Sequence, residues 1–327
     1  VKKLSFLIII ITLIWADGSM IPPPYHEIYS ADQVALIKIL PDSEELSILV
    51  KFSYKVDYDG FAWVIPFPSL PSIGEIDDSI FLNLSMLSAT YKTYGGCGSY
   101  FDGGYHYGND YFKVISYQTI GFLQTVLIQT NSPDTLVNFL LNNGYQLPAG
   151  MRDMFQDYIS REWQYFFIAK VDTNTYNPEN NVGIRFKFFT SEIVYPMKIS
   201  SLTSSDGISL YLYIIGQHKM FFDGAELLYA NQISKDELKA IYEDLPALFN
   251  YIKEGDYITK LHRYYERHQD ISSDIIIYQS PDDTEYRKEE EPEWYMEVSN
   301  SILFPFILFC LLIIVMRIKR KMIILKL

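Results

Sequence analysis

The residues with the clearest potential for covalent chemistry lie in one glycine- and tyrosine-rich stretch, "YGGCGSYFDGGYHYGND", which carries Cys97, Asp102 and His106. A nucleophilic thiol needs a base close in space, and His106 is near Cys97 in sequence. Glycines on both sides would let a substrate approach the backbone. This trio suggests a thiol-dependent hydrolase of the cell envelope. No known protease signature surrounds Cys97, so the plainer reading is a surface loop with a free thiol. Tyr105 and Tyr107, on either side of His106, are candidate binding residues, together with Trp63, Pro66 and Pro68 further upstream.

Metal chemistry has little support. The five histidines, His26, His106, His218, His262 and His268, make no HExxH and no close His/Cys set. His262 and His268 would share a face if their segment were one strand, but Arg263 and Arg267 beside them disfavour a bound cation. Asp57 to Gly60, "DYDG", lacks the calcium-loop pattern and reads as a turn. There is no Walker A, no dinucleotide fingerprint and no GxSxG, so no cofactor is expected. The one glycosylation sequon, Asn83-Leu84-Ser85, falls in a predicted helix.

The elements that must position these residues read as a mixture of hairpins and helices. Val34 to Leu40 and Leu46 to Tyr54 are apolar runs joined by "PDSEE", a hairpin pattern. The next strand, from Phe61, carries Pro66 and Pro68 and leads to Pro71. Alternation puts Phe61, Trp63, Ile65 and Phe67 on one face, and Ala62, Val64, Pro66 and Pro68 on the other. The two prolines lack N–H groups along the same edge, so the C-terminal half must be an edge. The segment then leaves the sheet as a stiff rod. It is either packing and protection of that edge, or an exposed aromatic and proline ridge that binds something.

Ser79 to Ser88 has helical spacing, with Ser79 as cap. Val114 to Thr130 is one strand or two, broken at Gly121. Ser132, Pro133 and Gly144 cap, start and end a helix, and another runs from Ala149 to Ser160. Tyr165 to Val171, Val182 to Thr190, Tyr195 to Ser200 and Ile208 to Ile215 read as strands, with a turn at Asp206-Gly207. Lys235 to Tyr251 reads as helix and Tyr257 to Arg267 as a late strand. Without regular βαβ alternation, the expected class is α+β with mainly antiparallel sheets and a few helices, plus one C-terminal transmembrane helix.

Several of these segments carry a resemblance. "FAWVIPFPSLPSI", "YQTIGFLQTVLIQTNSPDTLVNFLLNNGY", "YISREWQYFFIAKV" and "SEIVYPMKISSL" occur in that order. Together they resemble the family known as domain of unknown function 2330, over roughly Pro22 to Ile233. The resemblance implies a bacterial or archaeal extracytoplasmic protein, typically with a signal and often with a membrane anchor. It implies no assigned activity and supplies no catalytic residue. Family members often carry cysteines near the mature N-terminus, and this chain has none there.

The two ends suggest where the chain sits. Lys2 and Lys3, an apolar run from Leu4 to Trp15, and Ala16 make a signal peptide over 1–16. Ile14 is larger than the usual residue before a cut, so an uncleaved anchor is the alternative. Ile302 to Met316, extended back to Val298, gives a transmembrane helix over 298–316. The basic tail over 317–327 stays cytoplasmic, and Trp294 and Tyr295 mark the opposite interface.

The extracytoplasmic domain would cover 17–280, with a split into two subdomains near 131 as one option. A charged juxtamembrane stalk would follow over 281–297. The chain carries −13, and its two ends hold seven positive charges, which leaves −20 between them. That charge disfavours nucleic acid. Cys310 lies in the apolar span, so Cys97 has no external partner for a disulfide. The 27 tyrosines suit contact surfaces that are part apolar and part polar. The expected protein is a single-pass, membrane-anchored module that binds an envelope protein or glycan, with the bilayer as its other partner.

Overall fold

The computed structural model describes residues 33–50, 61–89, 112–171, 181–202 and 207–288, and the backbone of short strands at 19–21, 28–29 and 53–54. In chain order the first strands are β1 (Ser19–Ile21), β2 (Ile28–Tyr29), β3 (Gln33–Ile39), β4 (Ser43–Val50), β5 (Ser53–Tyr54), β6 (Phe61–Phe67) and β7 (Ser72–Ile76). Helix α1 (Ser79–Leu87) follows, then β8 (Phe112–Ile120), β9 (Leu123–Thr130), α2 (Pro133–Asn142) and α3 (Met151–Ser160). The remainder is β10 (Tyr165–Val171), β11 (Val182–Phe189), β12 (Ile193–Tyr195), β13 (Ile208–Gly216), β14 (Met220–Phe221), β15 (Glu226–Gln232), α4 (Lys235–Asp244), β16 (Tyr257–Tyr265), β17 (Ile275–Gln279) and β18 (Tyr286–Arg287).

The larger sheets run β1-β6-β10-β9-β8 and β18-β15-β16-β13-β3-β4-β11-β7. Smaller ones run β12-β17-β14 and β2-β5. Among the described residues every pairing is antiparallel except that of β13 with β3. The α+β expectation holds for these residues.

Alternation along the strands builds the layers. On β6, Phe61, Trp63, Ile65 and Phe67 face the eight-stranded sheet, where Ile37, Leu46, Ile48, Phe186, Leu212 and Ile214 meet them in one core. Phe67 packs on Phe186 and Phe188, with ring centroids 4.8 and 5.2 Å apart. The opposite face of β6, Ala62 and Val64, lies under α2 and α3 with Leu136, Leu140, Phe155 and Tyr158. The outer face of the eight-stranded sheet carries α1 and α4, where Ile80, Phe81, Leu84 and Ile241 cover Val34, Leu36, Tyr213 and Ile215. The order is helices, sheet, sheet, helices. Three apolar layers of this kind offset the chain entropy of a body this size.

The prolines behave as the strand pattern requires. β10 pairs with β6 as far as Phe67, while β1 covers only Ala62 to Val64. The C-terminal half of β6 therefore has a described partner on one side only. Beyond it, Pro68 to Pro71 carries the chain across to β7, which joins the other large sheet. The extended segment is a crossover between layers.

The hairpin β3–β4 forms as read, and of the two options over Val114 to Thr130 the structure takes two strands, with β8 and β9 the two arms of a second hairpin. Gly121 turns the second of them at φ 53°, in the left-handed region that glycine tolerates. Ser132 caps α2 by accepting from Thr135 N–H, with Pro133 at the first helical position.

Other expectations change. Asp78, not Ser79, is the cap position of α1, and Ser79 N–H donates to the Asp77 carboxylate at 2.9 Å. Tyr195 to Ser200 is not one strand: β12 ends at Tyr195, Pro196 interrupts it, and Lys198–Leu202 is a 3-10 turn. Nor does that segment form a hairpin with β13, since β12 pairs with β17 and β13 with β16 and β3. The helix from Lys235 stops at Asp244, because Pro246 cannot donate to the ladder.

Across residue 131, β9 pairs directly with β10, and the described residues up to Arg287 group as one compact unit. The start of the expected stalk belongs to that unit as well: β18 pairs with β15. The expected signal, transmembrane span and tail lie outside the described residues. Among the described residues no helix is long and apolar enough to cross a membrane.

Candidate functional site

A group of polar and aromatic side chains lies on the outer face of the eight-stranded sheet, with Glu226 and Tyr264 exposed, His262 and Tyr211 partly covered and Ser209 buried at 8% exposure. Alternation in β13 points Ser209 and Tyr211 outward, while Leu210 and Leu212 enter the core. In β16 the outward residues are Lys260, His262 and Tyr264, with Leu261 and Tyr265 inside. Glu226, at the start of β15, pairs with His262 from the other side. Register sets Ser209 opposite Tyr264 and Tyr211 opposite His262.

The side chains then engage. Ser209 Oγ is 2.8 Å from His262 Nε2. Glu226 Oε2 is 3.8 Å from His262 Nδ1. Tyr211 stacks on the imidazole, with centroids 4.5 Å apart and planes 25° apart. The Lys260 ammonium lies over the rings of Tyr211 and Tyr213, at 5.8 and 5.4 Å. Tyr264 is 59% exposed. Its phenol leans over Gly207, where a Cβ would come within 2.4 Å of the hydroxyl oxygen. Serine, imidazole and carboxylate thus meet at the edge of the exposed surface, and the Tyr264 phenol lies beside them over Gly207.

Three other polar groups are structural. Asp274, side chain 2% exposed, accepts from the Tyr158 hydroxyl (2.8 Å), Arg161 (2.9 Å) and Lys198 N–H (2.9 Å). Burial, and then the Asp274 carboxylate, hold the Tyr158 phenol well above its ordinary range, so it stays a donor. A second group is wholly interior: Tyr195 donates to Gln33, and Gln33 donates to Ser200. The third holds the end of the compact unit, where Lys219 Nζ donates to Asp282 (2.6 Å) and to the Thr284 carbonyl (3.0 Å). Beside it His218 meets Asp283 at 2.8 Å.

Glu44 is an exception to apolar burial. It is fully buried on β4, and its Oε2 accepts from Val194 N–H at 2.9 Å. Its Oε1 has no partner among the described residues. Burial pushes its carboxyl up to about 8, and the Val194 hydrogen bond only partly opposes the shift.

The residues singled out from sequence fall elsewhere. Trp63 is 0% exposed and packs edge-on to Phe167 at 5.7 Å. Pro66 is buried and Pro68 half-buried. The strand interior holds Trp63 and Pro66, so no exposed ridge exists at those two positions. Cys97, Asp102, Tyr105, His106 and Tyr107 lie outside the described residues, as does Asp57 to Gly60. Asn83 is 4% exposed and its side-chain oxygen accepts from Ala247 N–H at 3.3 Å, which removes the sequon from reach in the folded state.

His262 and His268 do not share a strand face, because β16 ends at Tyr265 and His268 begins a 3-10 turn. Among the described residues no three histidine, cysteine or carboxylate side chains converge as a metal set. Sequence reasoning missed the Ser209, Glu226 and His262 group. Alternation alone could have oriented each side chain, but the pairing of β13, β15 and β16 supplies the proximity.

The class of protein is therefore an α+β sandwich, two facing and mostly antiparallel sheets with helices on both outer surfaces, bearing one open polar aromatic face. The chain belongs to the family described as an uncharacterized protein conserved in bacteria, DUF2330, whose model matches residues 15–278. No curated protein matches it. Among solved structures it is similar to baculovirus P35, with 8% identity and a TM-score of 0.31 over 81% of this chain and 98% of that one. A mutated baculovirus P35 after caspase cleavage, at 3.1 Å resolution, gives 9% identity and a TM-score of 0.34 over 78% and 99% of the two chains. Likeness at this level carries no functional argument.

Proposed function

We propose that this protein is a membrane-tethered module of the cell envelope whose folded body stands outside the lipid boundary and binds a glycan. The observation that carries the reading is the open face of β13 and β16. Tyr264 offers exposed aromatic surface, and Glu226, Lys260 and His262 lie near it with donors and acceptors, backed by Tyr211 stacked on the imidazole. Sugar rings present apolar faces edged by hydroxyls, and flat aromatic surface with convergent polar groups matches that chemistry. The acidic stretch between the apolar ends supports a partner other than nucleic acid. The basic cluster after the apolar run at Ile302 to Met316 supports an inward C-terminus.

The test uses the full chain in detergent micelles, titrated with polysaccharide fractions of the envelope. Binding should appear with one fraction, and Tyr264→Ala should weaken it about tenfold, the loss of one aromatic anchor. Absence of binding to every fraction, with the protein folded, overturns the glycan assignment.

A further inference from the structure

We propose that Ser209, His262 and Glu226 form a nucleophilic site that cleaves short-chain carboxylic esters, with Tyr264 as the oxyanion donor. The activity goes beyond glycan binding and does not require a sugar.

Position and distance support each role. A serine hydroxyl becomes a useful nucleophile when a base within hydrogen-bond reach takes its proton and a third group orients that base. Ser209 Oγ and His262 Nε2 are already at 2.8 Å. Glu226 stands at Nδ1 of the same ring, at 3.8 Å. This separation matches an unliganded site, where such contacts are long and tighten with substrate. The carboxylate favours the tautomer protonated at Nδ1 and leaves Nε2 to accept from Ser209. The Tyr211 stack holds the imidazole plane. Tyr264 is directly across the ladder from Ser209, and its phenol lies over Gly207, two residues before Ser209, from where a rotation of the ring would carry the O–H toward the reacting carbon. A cross-strand pair sets its Cβ atoms about 5 Å apart, close enough for a phenol to reach an oxygen bonded to the carbon under attack. Ser209 is only 8% exposed on its sheet face, which leaves room for a short acyl group alone.

The chemistry balances without an added reagent other than water. Ser209 Oγ bonds to the ester carbonyl carbon, the carbonyl π pair moves to oxygen, and the hydroxyl proton passes to His262 Nε2. Tyr264 donates to the oxyanion, and Glu226 balances the imidazolium charge. Collapse breaks the bond to the alkoxy oxygen, which leaves as an alcohol with the proton from His262. Water then attacks the acyl-Ser209 carbonyl and gives its proton to His262. Release of the carboxylic acid restores the Ser209 hydroxyl.

The test is labelling of the folded full-length protein with a fluorophosphonate, peptide mapping of the adduct, and turnover of p-nitrophenyl acetate. The expected adduct is on Ser209, and His262→Ala should reduce labelling at least tenfold. Tyr264→Phe removes only an exposed hydroxyl and should lower kcat about a hundredfold with KM little changed. Glu226→Gln, also at an exposed side chain, should lower kcat and shift the pH profile of turnover. These two variants keep the test informative should His262→Ala fail to fold. No adduct at Ser209 in the folded wild-type protein, or equal turnover in Tyr264→Phe and Glu226→Gln, overturns the proposal.

Discussion

Glu44 shows how one residue can couple stability to pH. Its folded carboxyl titrates at about 8 against an ordinary value of 4.5, so the folded chain binds a proton that the unfolded chain has released between those values. The stability tied to that proton is fully present below pH 4.5 and is lost as pH rises through about 8. Within that window each pH unit weakens the fold by about 1.4 kcal/mol. Glu44→Gln keeps an acceptor for Val194 N–H and cannot ionise. The wild-type protein should lose thermal stability from pH 5 to pH 8, and the difference from Glu44→Gln should narrow or reverse over the same range. Parallel curves for the two proteins would show that Glu44 is not protonated inside the fold. A sequence reader sees "PDSEE" and takes both glutamates as solvated turn residues. Only the ladder with β11, and the apolar core around it, places one of them inside.

Close approach decides what individual elements tolerate. Gly183 on β11 lies against β7, where a Cβ would fall 2.5 Å from the Ile76 carbonyl oxygen. That neighbour is backbone and cannot rotate away. Gly183→Ala should therefore separate β7 from β11 and destabilise the protein by about 1–3 kcal/mol, the usual cost of overpacking. A change in denaturation midpoint of less than a few tenths of a kcal/mol would show that β7 is loosely held. Helix α4 draws on a different local device. Ser234 and Glu237 form a reciprocal capping box, with Glu237 N–H donating to Ser234 Oγ at 3.3 Å and Ser234 N–H to the Glu237 carboxylate at 2.9 Å. The start of α2 and the β3–β4 hairpin were legible because their signals are adjacent residues. Strands β14, β15, β17 and β18 were not, because their short or irregular runs acquire meaning only from partners far along the chain.

At the scale of the molecule, the last segment of the compact unit is held by Lys219, whose side chain is 9% exposed, and by its partners Asp282 and Thr284. The Tyr257 hydroxyl adds a bond to the Asp283 carbonyl at 2.8 Å. Lys219→Ala should free residues 281–287 and raise the rate of proteolysis there several-fold, while the sheets stay resistant. Unchanged cleavage would mean that β18 pairing alone holds the segment. The sequence by itself determined what depends on neighbours and on periodicity: the α+β class, most strand and helix positions, the one-sided pairing of β6, and the family. Tertiary structure decided what depends on distant pairing: that Trp63 is core, that 281–287 is not a free stalk, and that Ser209, Glu226 and His262 meet. The physical reason is that alternation tells a side chain which face to take, whereas the hydrogen-bonded order of strands, which no local residue encodes, decides which other side chains share that face.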